Sequence, residues 1–180
     1  MAPRPGKNLR DGEKLNILKN QHVLVTGGAG FIGSHLVPRL VEMGATVRVA
    51  DNLERGKFEN LGEIGDAVDF REEDLRDLAA CRRVCQGIDV VFHLASKVGG
   101  IGYYLSRPAE VMGDNTLIDT FMLRAAVEAG VPRYLRGKRA CLSHRVARLS
   151  RLPSDSRGTG NSCPSGVVVR LGKTDGRKAN

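Results

Sequence analysis

Apolar positions run along the chain in two alternating rhythms from residue 21 to about residue 135, and in neither afterwards. QHVLVT (21 to 26) is a short β-branched apolar run ending in glycines, the pattern of a buried parallel strand. FIGSHLVPRLVEMG follows with Phe31, Leu36, Leu40 and Met43 at helical spacing and a terminating Gly44, so a helix is expected, with a kink possible at Pro38. ATVRVAD (45 to 51), AVDFRE (67 to 72) and IDVVFHLAS (88 to 96) read as three further strands. LRDLAACRRVCQG reads as a helix closed by Gly87; a long helix is expected from near Pro108 to Gly130, and VPRYL opens a fifth strand. Strands alternating with helices predict βαβ units and a doubly wound parallel sheet in an α/β fold. Residues 1 to 20 are expected to be a polar, mobile lead-in, 21 to 135 the folded domain, and 136 to 180 a basic segment of low order.

Composition alters this picture at one point. The chain has 180 residues, enough for one domain with a core but not for two, and its 41% hydrophobic content suits a soluble globular protein. No run reaches the length of a membrane span and the polar start excludes a signal peptide's apolar core, so a cytoplasmic location is the default. Cys81, Cys85, Cys141 and Cys163 lack metal-site spacing and are expected to be free thiols, with no metal site. The net charge of +8 suggests nucleic acid until it is divided along the chain. Residues 1 to 135 hold 17 Lys and Arg against 18 Asp and Glu, and residues 136 to 180 hold 11 against Asp155 and Asp175 alone. The basicity therefore belongs to the segment without periodicity. A nucleic-acid-binding arm is the weaker reading of it, because aromatic residues are not interleaved with the arginines and no binding motif is present.

The strongest chemical signal is TGGAGFIGSHL, with Gly27, Gly30 and Gly33 spaced G-x-x-G-x-x-G between the first strand and its helix. Such a turn brings backbone N–H groups and a helix N-terminus to a pyrophosphate, with no Cβ in the way. Asp51 ends the second strand 18 residues past Gly33, where an acidic side chain would accept from ribose hydroxyls. A dinucleotide is the expected ligand. Asp51 favours NAD, since a carboxylate repels a 2′-phosphate, while Arg55 leaves NADP open.

This turn, together with DNLERG (51 to 56), DLRD (74 to 77), VFHLAS (91 to 96) and Asn115, resembles the extended short-chain dehydrogenase/reductases, the NAD-dependent epimerase/dehydratase group acting on nucleotide sugars. HLASKVGGIGYYLSRPAEVMGDNT is most similar to the GDP-mannose 3,5-epimerase-like branch, and the likeness covers about residues 21 to 135. The resemblance implies a Rossmann domain that holds cofactor with Gly27, Gly30, Phe31, Ile32, Gly33, Asp51, Asn52, Asp74, Leu75, Leu94, Ala95, Ser96 and Asn115. Asp74 and Leu75 would meet the adenine, and Asn115 would fix the active-site backbone. A nucleotide sugar would approach Gly99, Gly100 and Ile101. Each assignment has a plainer alternative: Asp74 as a helix N-cap, Ser96 as loop polarity, Asn115 as a solvent-facing helix residue. His93 is read as a packed histidine rather than an acid or base.

The family's chemistry, on the same resemblance, uses a Ser or Thr after the fifth strand and a Tyr-x-x-x-Lys pair on the next helix. Tyr103, Tyr104 and Tyr134 are read as lacking a lysine four positions on, so no catalytic residue is assigned and an inactive, truncated chain is expected. The remaining function is NAD binding, alternatively as a regulatory module. The fifth strand is expected to be an unpaired sheet edge, with VVVRLG the one later stretch of strand character, and the family's homodimer is in doubt.

The arginine-rich tail has a further reading, a change of coding frame. RGKRACLSH (136 to 144) can be encoded CGT GGC AAG CGC GCA TGT CTA TCC CAC, which one base later gives Val-Ala-Ser-Ala-His-Val-Tyr-Pro. VRLGKTDGR (169 to 177) can be encoded so that the same frame gives Tyr-Gly-Trp-Ala-Lys-Leu-Met-Gly-Glu. These resemble the family's serine strand and its Tyr-x-x-x-Lys helix, in order. The chain is thus expected to leave its ancestral frame between Tyr134 and Arg136, with Lys138 and Val169 standing at the lost Ser and Tyr.

Overall fold

The computed structural model describes residues 18 to 137 and the strand Val167–Arg170. The expectations for residues 1 to 17, for Lys138, Cys141 and Cys163, and for an arginine-rich arm lie outside the described residues. Chain order is β1 (His22–Thr26), α1 (Phe31–Glu42), β2 (Thr46–Asp51), a 3₁₀ segment (Phe58–Ala67), β3 (Asp69–Glu72) and α2 (Leu78–Cys85). There follow β4 (Val90–His93), α3 (Ile101–Ser106), α4 (Pro108–Glu128), β5 (Arg133–Arg136) and β6 (Val167–Arg170). The sheet order is β3-β2-β1-β4-β5-β6, parallel except for β6, which runs antiparallel to β5. The expected bare edge at β5 is therefore corrected: β5 is paired on both sides, and the VVVR stretch supplies its outer neighbour.

Alternation along each strand feeds two cores, one per sheet face. Val23, Val25, Val47 and Val49 pack with Val37 and Leu40 of α1. Leu24, Ala50, Val91 and Tyr134 face α2 and α4, meeting Cys81, Val84, Met122 and Ala125. Helices on both faces make the sheet doubly wound. Cys81 and Cys85 are free and buried, and burial pushes both thiols up to about 12, so they serve as small apolar core residues.

Three local expectations change. The face of α1 turned to the sheet is Gly33, Val37 and Leu40, whereas Phe31, expected on it, is 84% exposed at the helix start. Leu18 is buried in the α1-side core, so packing extends at least three residues ahead of the expected boundary. The cap of α2 is Asp77, whose carboxylate accepts from the N–H groups of Ala79 (2.9 Å) and Ala80 (3.3 Å), so Asp74 is not the cap. Among the described residues no helix is long and apolar enough to cross a membrane.

Candidate cofactor site

The turn after β1 is built by contact rather than by side-chain capping. Gly27 has φ +68, which an L side chain adopts only with strain, and a Cβ on it would lie 2.8 Å from the Ala95 nitrogen. A Cβ on Gly33 would lie 2.4 Å from the Gly27 carbonyl oxygen, so α1 can seat on the turn only with glycine there. Gly30 is the N-cap of α1 and makes no side-chain cap bond, leaving the first-turn N–H groups facing outward.

Asp51 is 7% exposed at the end of β2. Its Oδ2 accepts from the Ala29 N–H and its Oδ1 from the Leu53 N–H, both at 3.0 Å. Each carboxylate oxygen keeps a lone pair for a further donor. Leu53, held by that bond, takes φ +55, a left-handed conformation that is costly for a large side chain.

At the end of β4, Thr26 Oγ1 accepts from the N–H groups of Leu94 and Ala95, both at 3.1 Å. Asn115, 6% exposed, grips the Lys97 backbone: its Oδ1 accepts from the Lys97 N–H (2.7 Å) and its Nδ2 donates to the Lys97 carbonyl (3.0 Å). This burial overturns the solvent-facing alternative for Asn115. The neighbouring Asp114 takes the Lys97 side chain, with Nζ 2.8 Å from Oδ2, and Glu110 takes it at 2.9 Å. These carboxylates hold the Lys97 ammonium well above its ordinary value.

Arg76 joins the same cluster. It donates to Asp114 (2.9 Å) and, through Nη2, to Asp74 (2.6 Å), and the guanidinium holds the Asp74 carboxyl below its usual range. Arg76 and Lys97 thereby tie the β3–α2 loop, the β4–α3 loop and α4 together.

These pieces enclose one cavity of about 440 Å³ at the carboxyl ends of β1, β2 and β4. Gly27, Gly30, Phe31, Ile32, Gly33, Asp51, Asn52, Asp74, Leu75, Leu94, Ala95, Ser96 and Asn115 all line it. Gly99, Gly100 and Ile101 do not; the cavity residues nearest them are Val98 and Tyr104, while Gly100 caps the short α3. Glu54, Arg76, Lys97 and Asp114 also line it and were missed by the sequence reading, because isolated charges, three in loops and Asp114 on α4, carry no periodic signal. The spacing Tyr134-x-x-x-Lys138 corrects the expectation that no tyrosine has a lysine four positions on. Tyr134 lies within β5, 2% exposed, and burial pushes its phenol upward, so it is not placed as an acid or base beside a ligand.

The sequence model of the NAD dependent epimerase/dehydratase family matches residues 23–142. The chain belongs to this family. Among curated members it is 37% identical to GDP-mannose 3,5-epimerase 1 of Oryza sativa subsp. japonica over 120 residues, which is 67% of this chain and 31% of the relative. It is 35% identical to GDP-mannose 3,5-epimerase of Arabidopsis thaliana over 124 residues, 69% of this chain and 32% of the relative. The chain thus spans about a third of the length of these epimerases. Among solved family structures, the UDP-glucose 4-epimerase of Thermus thermophilus in complex with NAD is 37% identical, with a TM-score of 0.54 over 61% of this chain and 35% of that one. An epimerase from Methanothermobacter thermautotrophicus is 31% identical, with a TM-score of 0.65 over 71% of this chain and 38% of that one.

Proposed function

We propose that this chain binds NAD in the cavity at the carboxyl ends of β1, β2 and β4, as the cofactor-holding part of a nucleotide-sugar epimerase or dehydratase. The observation that carries the reading is the convergence there of an uncapped helix start, a tight glycine turn in which Gly27 and Gly33 leave no room for a Cβ, and the buried Asp51 carboxylate. The outward N–H groups of Phe31, Ile32 and Gly33 would hold the pyrophosphate. Asp51 would accept from the adenosine ribose hydroxyls with its remaining lone pairs, and Asp74 from the exocyclic amine, held in place by Arg76. Leu75 and Ile118 give the adenine end an apolar wall, and Leu94, Ala95 and Ser96 form the wall of the nicotinamide half. NAD, when bound, supplies a reversible hydride acceptor. The sugar would be of the GDP-mannose or UDP-glucose type, approaching past Gly99, Gly100 and Ile101.

Calorimetric titration of the full chain tests this. NAD is expected to bind at least tenfold more tightly than NADP, and Asp51→Ala to weaken NAD at least tenfold while narrowing that gap. Equal affinity for the two cofactors would remove the role given to Asp51, and absence of NAD binding would end the reading. Arg55, also on the cavity wall, is the residue whose removal should weaken whatever NADP binding is found.

The coding-frame reading is kept as part of this proposal. The family match runs to residue 142, six residues past Arg136, so the match by itself does not mark the junction placed between Tyr134 and Arg136. Gene sequence across Arg136 decides it, and codons incompatible with the alternative frame would sink it.

A further inference from the structure

We infer that His93 is a positioning residue for the cavity floor, acting through the Thr26 hydroxyl; the inference rests on the NAD-binding reading above. Four residues from four elements form a chain behind the cavity. Thr26 Oγ1 lies 2.7 Å from His93 Nδ1, His93 Nε2 lies 3.2 Å from Asp119 Oδ1, and Arg136 pairs with the other oxygen of Asp119. His93 is 2% exposed, Thr26 is fully buried, and the Tyr134 ring lies beside the imidazole at 5.8 Å between centroids.

Valence sets the direction of this chain. A hydroxyl oxygen has two lone pairs and one proton. The Thr26 lone pairs are taken by the Leu94 and Ala95 N–H groups, so its proton goes to His93 Nδ1. Nδ1 is then an acceptor, the ring proton sits on Nε2, and it is donated to Asp119. The consequence is specific to one end of the ring. If Nδ1 could not accept, the hydroxyl would turn away and the Ala95 N–H would lose this acceptor in a buried setting, whereas the Leu94 N–H also reaches the Thr26 carbonyl at 3.1 Å. Those N–H groups belong to the backbone that lines the cavity, and Ala95 is where the Gly27 turn approaches most closely. Neither Thr26 nor His93 lines the cavity itself, so both act through the Leu94–Ala95 backbone.

The experiment compares the two halves of the imidazole in the full chain. Asn at 93 offers an oxygen near the Nδ1 position and can accept from Thr26; Gln reaches the Nε2 position and can donate to Asp119 but leaves the hydroxyl without an acceptor. NAD affinity is expected to fall about tenfold in Thr26→Val and in His93→Gln, and to stay within about twofold of wild type in Thr26→Ser and His93→Asn. A double variant Thr26→Val/His93→Gln should be no worse than either single one. Equal losses in His93→Asn and His93→Gln, or wild-type affinity in Thr26→Val, would overturn the inference. Amide hydrogen exchange at Ala95 separates it from the NAD reading, with Leu94, which also donates to the Thr26 carbonyl, as the internal reference. Exchange at Ala95 should accelerate in Thr26→Val and His93→Gln and not in His93→Asn, whether or not NAD binds; unchanged exchange there in all three refutes the positioning role.

Discussion

The Tyr134 hydroxyl is buried with no hydrogen-bond partner, the one such side-chain atom among the described residues. A buried hydroxyl without a partner costs about 1 to 3 kcal/mol relative to its hydrated state. Tyr134→Phe removes that oxygen and keeps the ring against His93, so it should stabilise the chain by about 1 kcal/mol, read as a rise of a few degrees in thermal midpoint. A fall in midpoint would mean that the hydroxyl has a role. The tyrosine also shows why spacing alone does not define chemistry. Tyr134-x-x-x-Lys138 has the interval of a catalytic pair, but Tyr134 is a strand residue facing the α2–α4 core, where successive side chains alternate faces instead of winding round a helix. The glycines and Asp51 were legible because each type answers a steric or charge demand that few others meet. Lys97, Arg76 and Asp114 were not, since their pairing joins positions up to 38 residues apart that only the fold brings together.

At the scale of elements, α2 depends on its first turn. It is only eight residues long, too short to be stable by propensity, and Asp77 takes two of its unpaired N–H groups. Asp77→Ala should cost about 1 kcal/mol, visible as a lower midpoint in urea, while Asp77→Ser or Asp77→Asn should restore most of it. An unchanged midpoint in Asp77→Ala would show that packing of Cys81, Val84 and Cys85 alone holds the helix. The strands β1 and β4 were readable because burial on both faces demands continuous apolar runs. The 3₁₀ segment Phe58–Ala67 and the helix α3 were not, because the first is broken at Gly62 and the second buries no residue. The phase of α1 was misread for a related reason: Phe31 sits in the turn that opens on the cavity, so its exposure reflects the site and not the core.

For the whole molecule, two kinds of information separate cleanly along the chain. The region through Tyr134 holds both cores, the cavity and all thirteen residues assigned to cofactor, and it is also where the family match lies almost entirely. Chemistry on a nucleotide sugar needs in addition a group to move a proton at the reacting carbon's hydroxyl. In the resemblance that role falls to a Ser and a Tyr-x-x-x-Lys helix, which the sequence in its present frame is not expected to supply. The full chain is therefore expected to bind NAD yet give no new epimer when incubated with GDP-mannose or UDP-glucose, followed by NMR of the sugar protons. Shifting the coding frame by one base after Tyr134 tests the same idea from the other side. If the ancestral frame is the one that reads Val-Ala-Ser-Ala-His-Val-Tyr-Pro and later Tyr-Gly-Trp-Ala-Lys, the reframed gene should yield the serine strand, the Tyr-x-x-x-Lys helix and whatever open frame follows. Its product should then convert one of these nucleotide sugars, and replacing the new tyrosine by Phe should abolish turnover without loosening NAD. Turnover by the chain as written would overturn the expectation of inactivity and turn attention to Tyr104 and Lys97 on the cavity wall. An early stop codon in the reframed gene would refute the ancestry proposed for residues 136 to 180.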